Sequence, residues 1–177
     1  MPSETNVATD SRPHPVQPWC ATASRVVHPS SAGAHRPITE AIAAGLAAVA
    51  MPWEIAGTAT EREYELLLET DHYDAWLIHW PPGTGLEAHD HGGSAGAFAI
   101  VSGVLDEDVV ESDTVWSRRF VEGESVAFDD HHVHAVVNRS DAPATSVHVY
   151  WPPLRSMRFH GDDLDGRVER VGAVDVI

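Results

Sequence analysis

The chain reads as an all-β protein, an antiparallel sandwich or barrel with a short helical segment ahead of it. Two observations predict this. Between residues 63 and 151, some eight or nine short runs rich in apolar and β-branched residues follow one another at regular spacing. The gaps between them hold Gly, Pro, Asn or Asp, the residues that tight turns require. The length of 177 residues suits one domain with a sizeable core.

Taken in order, residues 1–36 are rich in Pro, Ser, Thr, Ala and His and have little apolar periodicity. They read as a disordered or extended N-terminal arm, with the domain proper spanning 37–177. Pro37 to Glu40 opens the run AIAAGLAAVA, strongly helical in composition, with Thr39 as N-cap and Pro52 as stop. Residues 63–69 (EYELLLE) and 75–80 (AWLIHW) read as a hairpin turning at residues 71–74. A loop over residues 81–85 leads to a strand carrying His89 and His91, and Gly92-Gly93 turns the chain into 97–101 (AFAIV). Strands follow at 104–110, 115–121, 125–128, 133–137 and 145–151, and Pro152-Pro153 ends the last of them. Residues 154–177 are polar and weakly patterned, which predicts a short strand or an extended tail.

Charge and composition exclude several roles. The net charge of −16 repels nucleic acid and anionic membranes. No apolar run is long enough to span a bilayer, and the N-terminus lacks the basic start and apolar run of a secretory signal. Cys20 is the single cysteine, so no intrachain disulfide forms and a cytoplasmic location is expected. Oligomeric state is left open.

The chemistry concentrates in histidines. His72, His79, His89, His91, His131, His132 and His134 all fall in the central β-rich region. His89 and His91 lie one residue apart, on one face of an extended strand. A third ligand would complete a metal site. His134, on the strand 133–137, is the candidate, with His131 and His132 its nearest rivals. Three neutral imidazoles leave a divalent metal its full charge and leave coordination positions open. Spacing does not separate an oxygen-activating iron from a hydrolytic zinc. Ser146, His148 and Tyr150 alternate with Val147 and Val149, so the three polar groups share one strand face. Inside a barrel such a row must hydrogen-bond within itself or line a wet site; on the outside it would face solvent.

These segments resemble the two motifs of the cupin superfamily. Gly83, His89, His91 and Gly103 match the first, and Gly123, His134 and Asn138 match the second. The glutamate that usually follows the histidine pair is replaced by Ser94-Ala95-Gly96-Ala97, as in cupins with three-histidine sites. The stretch WPPGTGLEAHDHGGSAGAFAIVSG, with Ser146-Val147-His148-Val149-Tyr150-Trp151-Pro152-Pro153, is similar to bacterial members of the cysteine dioxygenase family. The resemblance covers roughly residues 60–155. It implies a cupin-type jelly-roll barrel and a non-haem Fe(II) enzyme that adds both atoms of O2 to the sulfur of a small thiol, giving a sulfinate. It implies His89, His91 and His134 as iron ligands, Tyr150 as donor near the reacting atoms, His148 holding Tyr150, and Ser146 holding His148. The cysteine that crosslinks to this tyrosine in animal members should fall near Gly96, which cannot form the link.

The family's arginine that clamps the substrate carboxylate should fall near Leu66, which cannot bind an anion. Arg62 shares a strand face with Tyr64 and Leu66 and could take its place, or could pair with surface glutamates. Tyr64 and His79 are other candidate pocket groups. The substrate is therefore cysteine or a related thiol. Two alternatives stand beside this reading: a metal-binding cupin that holds a small ligand without oxidising it, and a cupin oxygenase acting on a non-thiol substrate.

Overall fold

A computed structural model of the chain describes residues 36–50, 59–112, 114–161 and 168–170. The expected N-terminal arm (with Cys20) and the Pro52 stop lie outside the described residues.

The helix α1 spans Arg36–Val49. It starts earlier than the sequence predicts, so Thr39 sits in its first turn instead of capping it. The Thr39 hydroxyl accordingly donates to the Arg36 carbonyl at 3.0 Å. Pro37 is tolerated there because first-turn N–H groups have no helical partner. Thr39 and Ala43, one turn apart, are the buried residues of the helix. Ala43 packs with the small side chains Ala97, Ala99, Ala127, Val147 and Val149, which let the helix lie close on the sheet. Arg36 donates to the Ala127 carbonyl at 2.7 Å and Ser125 to Glu40 at 3.1 Å, which fixes the docking.

Among the described residues, eleven strands form two antiparallel sheets: β1 Glu63–Glu69, β2 Asp74–Trp80, β3 Gly85–Asp90, β4 Ala95–Ser102, β5 Val104–Glu111, β6 Thr114–Val121, β7 Ser125–Phe128, β8 His134–Val137, β9 Ala144–Trp151, β10 Ser156–Phe159 and β11 Val168–Arg170. One sheet runs β1-β2-β9-β4-β7 and the other β11-β10-β3-β8-β5-β6. The all-β prediction therefore holds, and the uncertain C-terminal stretch supplies β10 and β11. β10 covers the histidine strand, with Phe159 paired to His89.

Alternation sorts the side chains. On β2, Ala75 and Leu77 turn to the helix side, while Trp76, Ile78 and Trp80 turn to the interior. Phe98, Ile100, Leu105, Phe120, Phe128, Val136 and Tyr150 complete that interior. Two closures hold its rim. Asn138 is fully buried, and its amide donates to the carbonyls of Trp80 and Ala142, both at 2.8 Å. Gly103 turns at φ +78°, where a Cβ would stand 2.6 Å from the Pro143 carbonyl oxygen. Glycine is required there on both counts.

Candidate metal centre

The three histidines predicted as ligands come together between the sheets. β3 ends just before His91, and His89 is the cross-strand partner of His134 on β8. Ring centroids lie 5.0 Å apart for His89–His91, 4.9 Å for His89–His134 and 5.0 Å for His91–His134. One nitrogen from each falls within 4.8 Å of the others, a set that could hold a metal ion.

Hydrogen bonds orient two of the rings. His89 Nδ1 lies 2.8 Å from the Glu87 carbonyl oxygen. A carbonyl only accepts, so Nδ1 carries the proton and Nε2 is left as a ligand atom. His134 Nδ1 lies 2.7 Å from Glu107 Oε1, which leaves its Nε2 in the same way. His91 is buried, and neither of its nitrogens has a hydrogen-bond partner among the described residues. Burying an imidazole unpaired costs about 1–3 kcal/mol. Coordination of a metal would remove that cost, so the residues fit the group.

Burial holds all three imidazoles below their ordinary value, His89 and His91 far below it, and the neighbouring histidines add to the effect, His132 in the case of His134. Neutral imidazole is the form that binds a metal. For His134 the Glu107 carboxylate works the other way and offsets part of the shift.

Next to the cluster stands a line of donors and acceptors on β9. Tyr150 Oη lies 3.3 Å from His148 Nδ1, and His148 Nε2 lies 3.0 Å from Ser146 Oγ. The Trp80 indole N–H donates to Ser146 Oγ at 2.8 Å. The sequence places Tyr150, His148 and Ser146 on one strand face, and here they form one chain with that face inward. Tyr150 and His91 have ring centroids 5.3 Å apart, which puts the tyrosine beside the histidine cluster.

Residues 59–162 match the model of the family described as Cysteine dioxygenase type I. The chain belongs to the cysteine dioxygenase type I family. No curated protein matches it. Among solved structures, TT1209 from Thermus thermophilus is similar at 19% identity, over 56% of this chain and 90% of that one, with a TM-score of 0.49. An uncharacterized conserved protein with a double-stranded beta-helix domain from Klebsiella pneumoniae is similar at 16% identity, over 67% and 91%, with a TM-score of 0.49. A sugar phosphate isomerase from a cupin superfamily from Silicibacter pomeroyi is similar at 23% identity, over 62% and 76%, with a TM-score of 0.48.

The other predicted residues of this cysteine dioxygenase family member sort differently. Arg62 places its guanidinium carbon 5.3 Å from the ring centroid of the inward-facing Trp80. Its charge reaches inside: after burial and His134, it is the next cause that lowers His148, to about 3. Leu66 packs against the interior apolar cluster. Tyr64 is exposed, with its ring edge against Trp76, and is no buried pocket group. His79 is buried, but parity puts it with Ala75 and Leu77 on the helix side of β2, away from the interior. His131 is exposed and lies 3.8 Å from Asp130. His132 stacks on Phe128 at 5.1 Å and bonds to Glu107 at 2.9 Å.

Glu107 is the residue that the sequence reading misses. It is fully buried on β5, between the inward-facing Leu105 and Val109. Burial opposes its charge, but hydrogen bonds from His132, His134 and Arg118 outweigh burial and hold the carboxyl far below its usual range. The signal was a carboxylate at the parity of two apolar neighbours. Asp106 and Asp108 on either side disguised it as a charged surface run. Trp80 is the second omission, because its partner Ser146 is distant in sequence.

Proposed function

We propose that this family member is an Fe(II)-dependent thiol dioxygenase, converting a small thiol and O2 to a sulfinate. The balance RSH + O2 → RSO2H needs no external reductant, since sulfur supplies the four electrons. The observation that carries the reading is the histidine cluster and the Tyr150–His148–Ser146 chain facing one interior. Iron held by His89, His91 and His134 would supply the oxygen-activating redox chemistry.

The protein's own residues do the rest. Trp80 has only a donor, so Ser146 Oγ accepts from it. In the arrangement we propose, the Ser146 hydroxyl donates in turn to His148 Nε2. That leaves the His148 proton on Nδ1, pointing at Tyr150 Oη. The phenol oxygen accepts there, and its own O–H is turned free to donate toward substrate. Burial raises the Tyr150 phenol well above its ordinary value, so it stays protonated as a donor. Trp80, Phe98 and Phe128 keep bulk water from the interior. Arg62 supplies a cation suited to an anionic substrate tail. Cys20 as the single cysteine supports a cytoplasmic home.

The test is oxygen consumption by Fe(II)-loaded protein against cysteine, 3-mercaptopropionate and cysteamine, with the product identified by mass. Sulfinate from at least one thiol is expected. No uptake with any thiol would sink the reading.

A further inference from the structure

Three imidazoles bring a metal no negative charge, yet a negative charge stands directly behind one of them. Glu107 Oε1 accepts from His134 Nδ1 at 2.7 Å and from His132 Nε2 at 2.9 Å, and Arg118 Nε donates to Oε2 at 2.5 Å. The carboxylate is fully buried, and three donors converge on it, Arg118 from β6, His134 from the start of β8 and His132 from the loop before it. Both carboxylate oxygens are thus engaged, and a fully satisfied buried network of this kind is rigid.

We propose that Glu107 is a positioning residue for the metal centre: it fixes His134 in the form protonated on Nδ1, with Nε2 turned to the metal, and sets one negative charge against an otherwise neutral ligand set. His132 and Arg118 hold the carboxylate in place. This rests on the reading of His89, His91 and His134 as ligands. It assigns His132 a role outside the ligand set, although Glu107, His132 and His134 are themselves close enough to hold an ion. Outer carboxylates of this kind raise the basicity of the ligand they touch and steady its orientation.

The test uses full-length protein, titrated anaerobically with Fe(II) and no thiol. Glu107→Gln keeps the shape and removes the charge. Its iron dissociation constant should rise about 10–100-fold, and the Fe(III)/Fe(II) potential should move upward. Glu107→Asp returns the charge and should bring the potential back toward wild type. Unchanged affinity and potential in Glu107→Gln would overturn the proposal. So would a lowered melting temperature with an unmoved potential, which would show a role in folding alone. Should the Gln variant not fold, the ¹⁵N-labelled wild-type protein loaded with Zn(II) carries the test. Its His134 should show a slowly exchanging, downfield Nδ1–H, and an Nε2–H form would overturn the proposal. His132→Gln should keep one metal per chain; loss of the metal would make His132 a ligand and refute the assignment. None of these measurements uses thiol or O2, so they fail or succeed independently of the proposed reaction.

Discussion

The indole N–H of Trp80 donates to the Ser146 hydroxyl at 2.8 Å, and this bond anchors the far end of the chain that reaches Tyr150. An indole only donates, so Ser146 Oγ accepts from it and its own hydroxyl proton is turned away from Trp80. Trp80→Phe keeps most of the bulk and removes the donor. It should cost about 1 kcal/mol of stability in denaturant unfolding and lower kcat while iron content stays at wild type. Tyr150→Phe should lower kcat more, roughly 100-fold, as for loss of a donor at a reacting centre. The double variant should fall little below Tyr150→Phe alone, because both changes act through the same hydroxyl. Multiplicative losses would show that Trp80 acts elsewhere.

Gly96 is the cross-strand partner of Tyr150, which places it where the family's crosslinking cysteine was expected. A Cβ there would stand 2.6 Å from Phe128 Cζ and 2.7 Å from the Val149 carbonyl oxygen. Gly96→Cys should therefore lose about 1–3 kcal/mol of stability by overpacking. Gly96→Ala should lose nearly as much, since the clash begins at Cβ. Urea midpoints give both numbers, and intact mass under denaturing conditions shows whether a link to Tyr150 forms. A stable, crosslinked Gly96→Cys protein would show that Phe128 moves freely, against the packing seen here.

The strands were legible because period-two alternation survives wherever one face is buried and the other is not. The histidine cluster was legible because His89 and His91 sit two apart and His134 sits on an apolar strand. What escaped depended on contacts between distant segments. His79 is chemically suited to a pocket, but its parity with Leu77 sends it to the helix side. Glu107 hides in an acidic run whose alternate members, Asp106 and Asp108, are ion-paired with Arg119 and Arg139. β10 has no periodic pattern of its own and exists because β3 offers it an edge. Thr39 has the composition of a cap, but the helix continues past it to Arg36.

Asp74 gives the fold a pH dependence of its own. It is buried opposite Tyr150, and the Leu154 amide donates to Oδ2 at 3.0 Å. Its Oδ1 has no hydrogen-bond partner among the described residues. Burial raises its carboxyl from 3.8 to about 6, with the Leu154 amide and the Arg155 charge offsetting part of the shift. The folded state therefore binds this proton more tightly than the unfolded state. The stability it contributes is fully present below 3.8 and is lost as pH rises through about 6. Asp74→Asn stays neutral and keeps an acceptor for the Leu154 amide. Its unfolding free energy should exceed that of wild type at pH 8 and converge with it toward pH 4, measured by denaturant titration at both. A difference that does not change with pH would remove Asp74 from this role.

Arg62 lies over Trp80, the residue at the head of the Tyr150 chain, and its charge is felt at His89, His148 and Tyr150. A guanidinium so placed can meet the carboxylate of a bound thiol in bidentate fashion. A charge-assisted contact is worth about 1.5–3 kcal/mol, so Arg62→Met should raise KM for cysteine and 3-mercaptopropionate roughly 10–100-fold. KM for cysteamine, which has no carboxylate, should move far less. Arg62→Lys keeps a point charge but not the planar fork, and should fall between the two. Steady-state oxygen consumption with the three thiols separates the cases. An equal rise for all three would mean that Arg62 acts by packing on Trp80, and that the substrate's tail is read by another group.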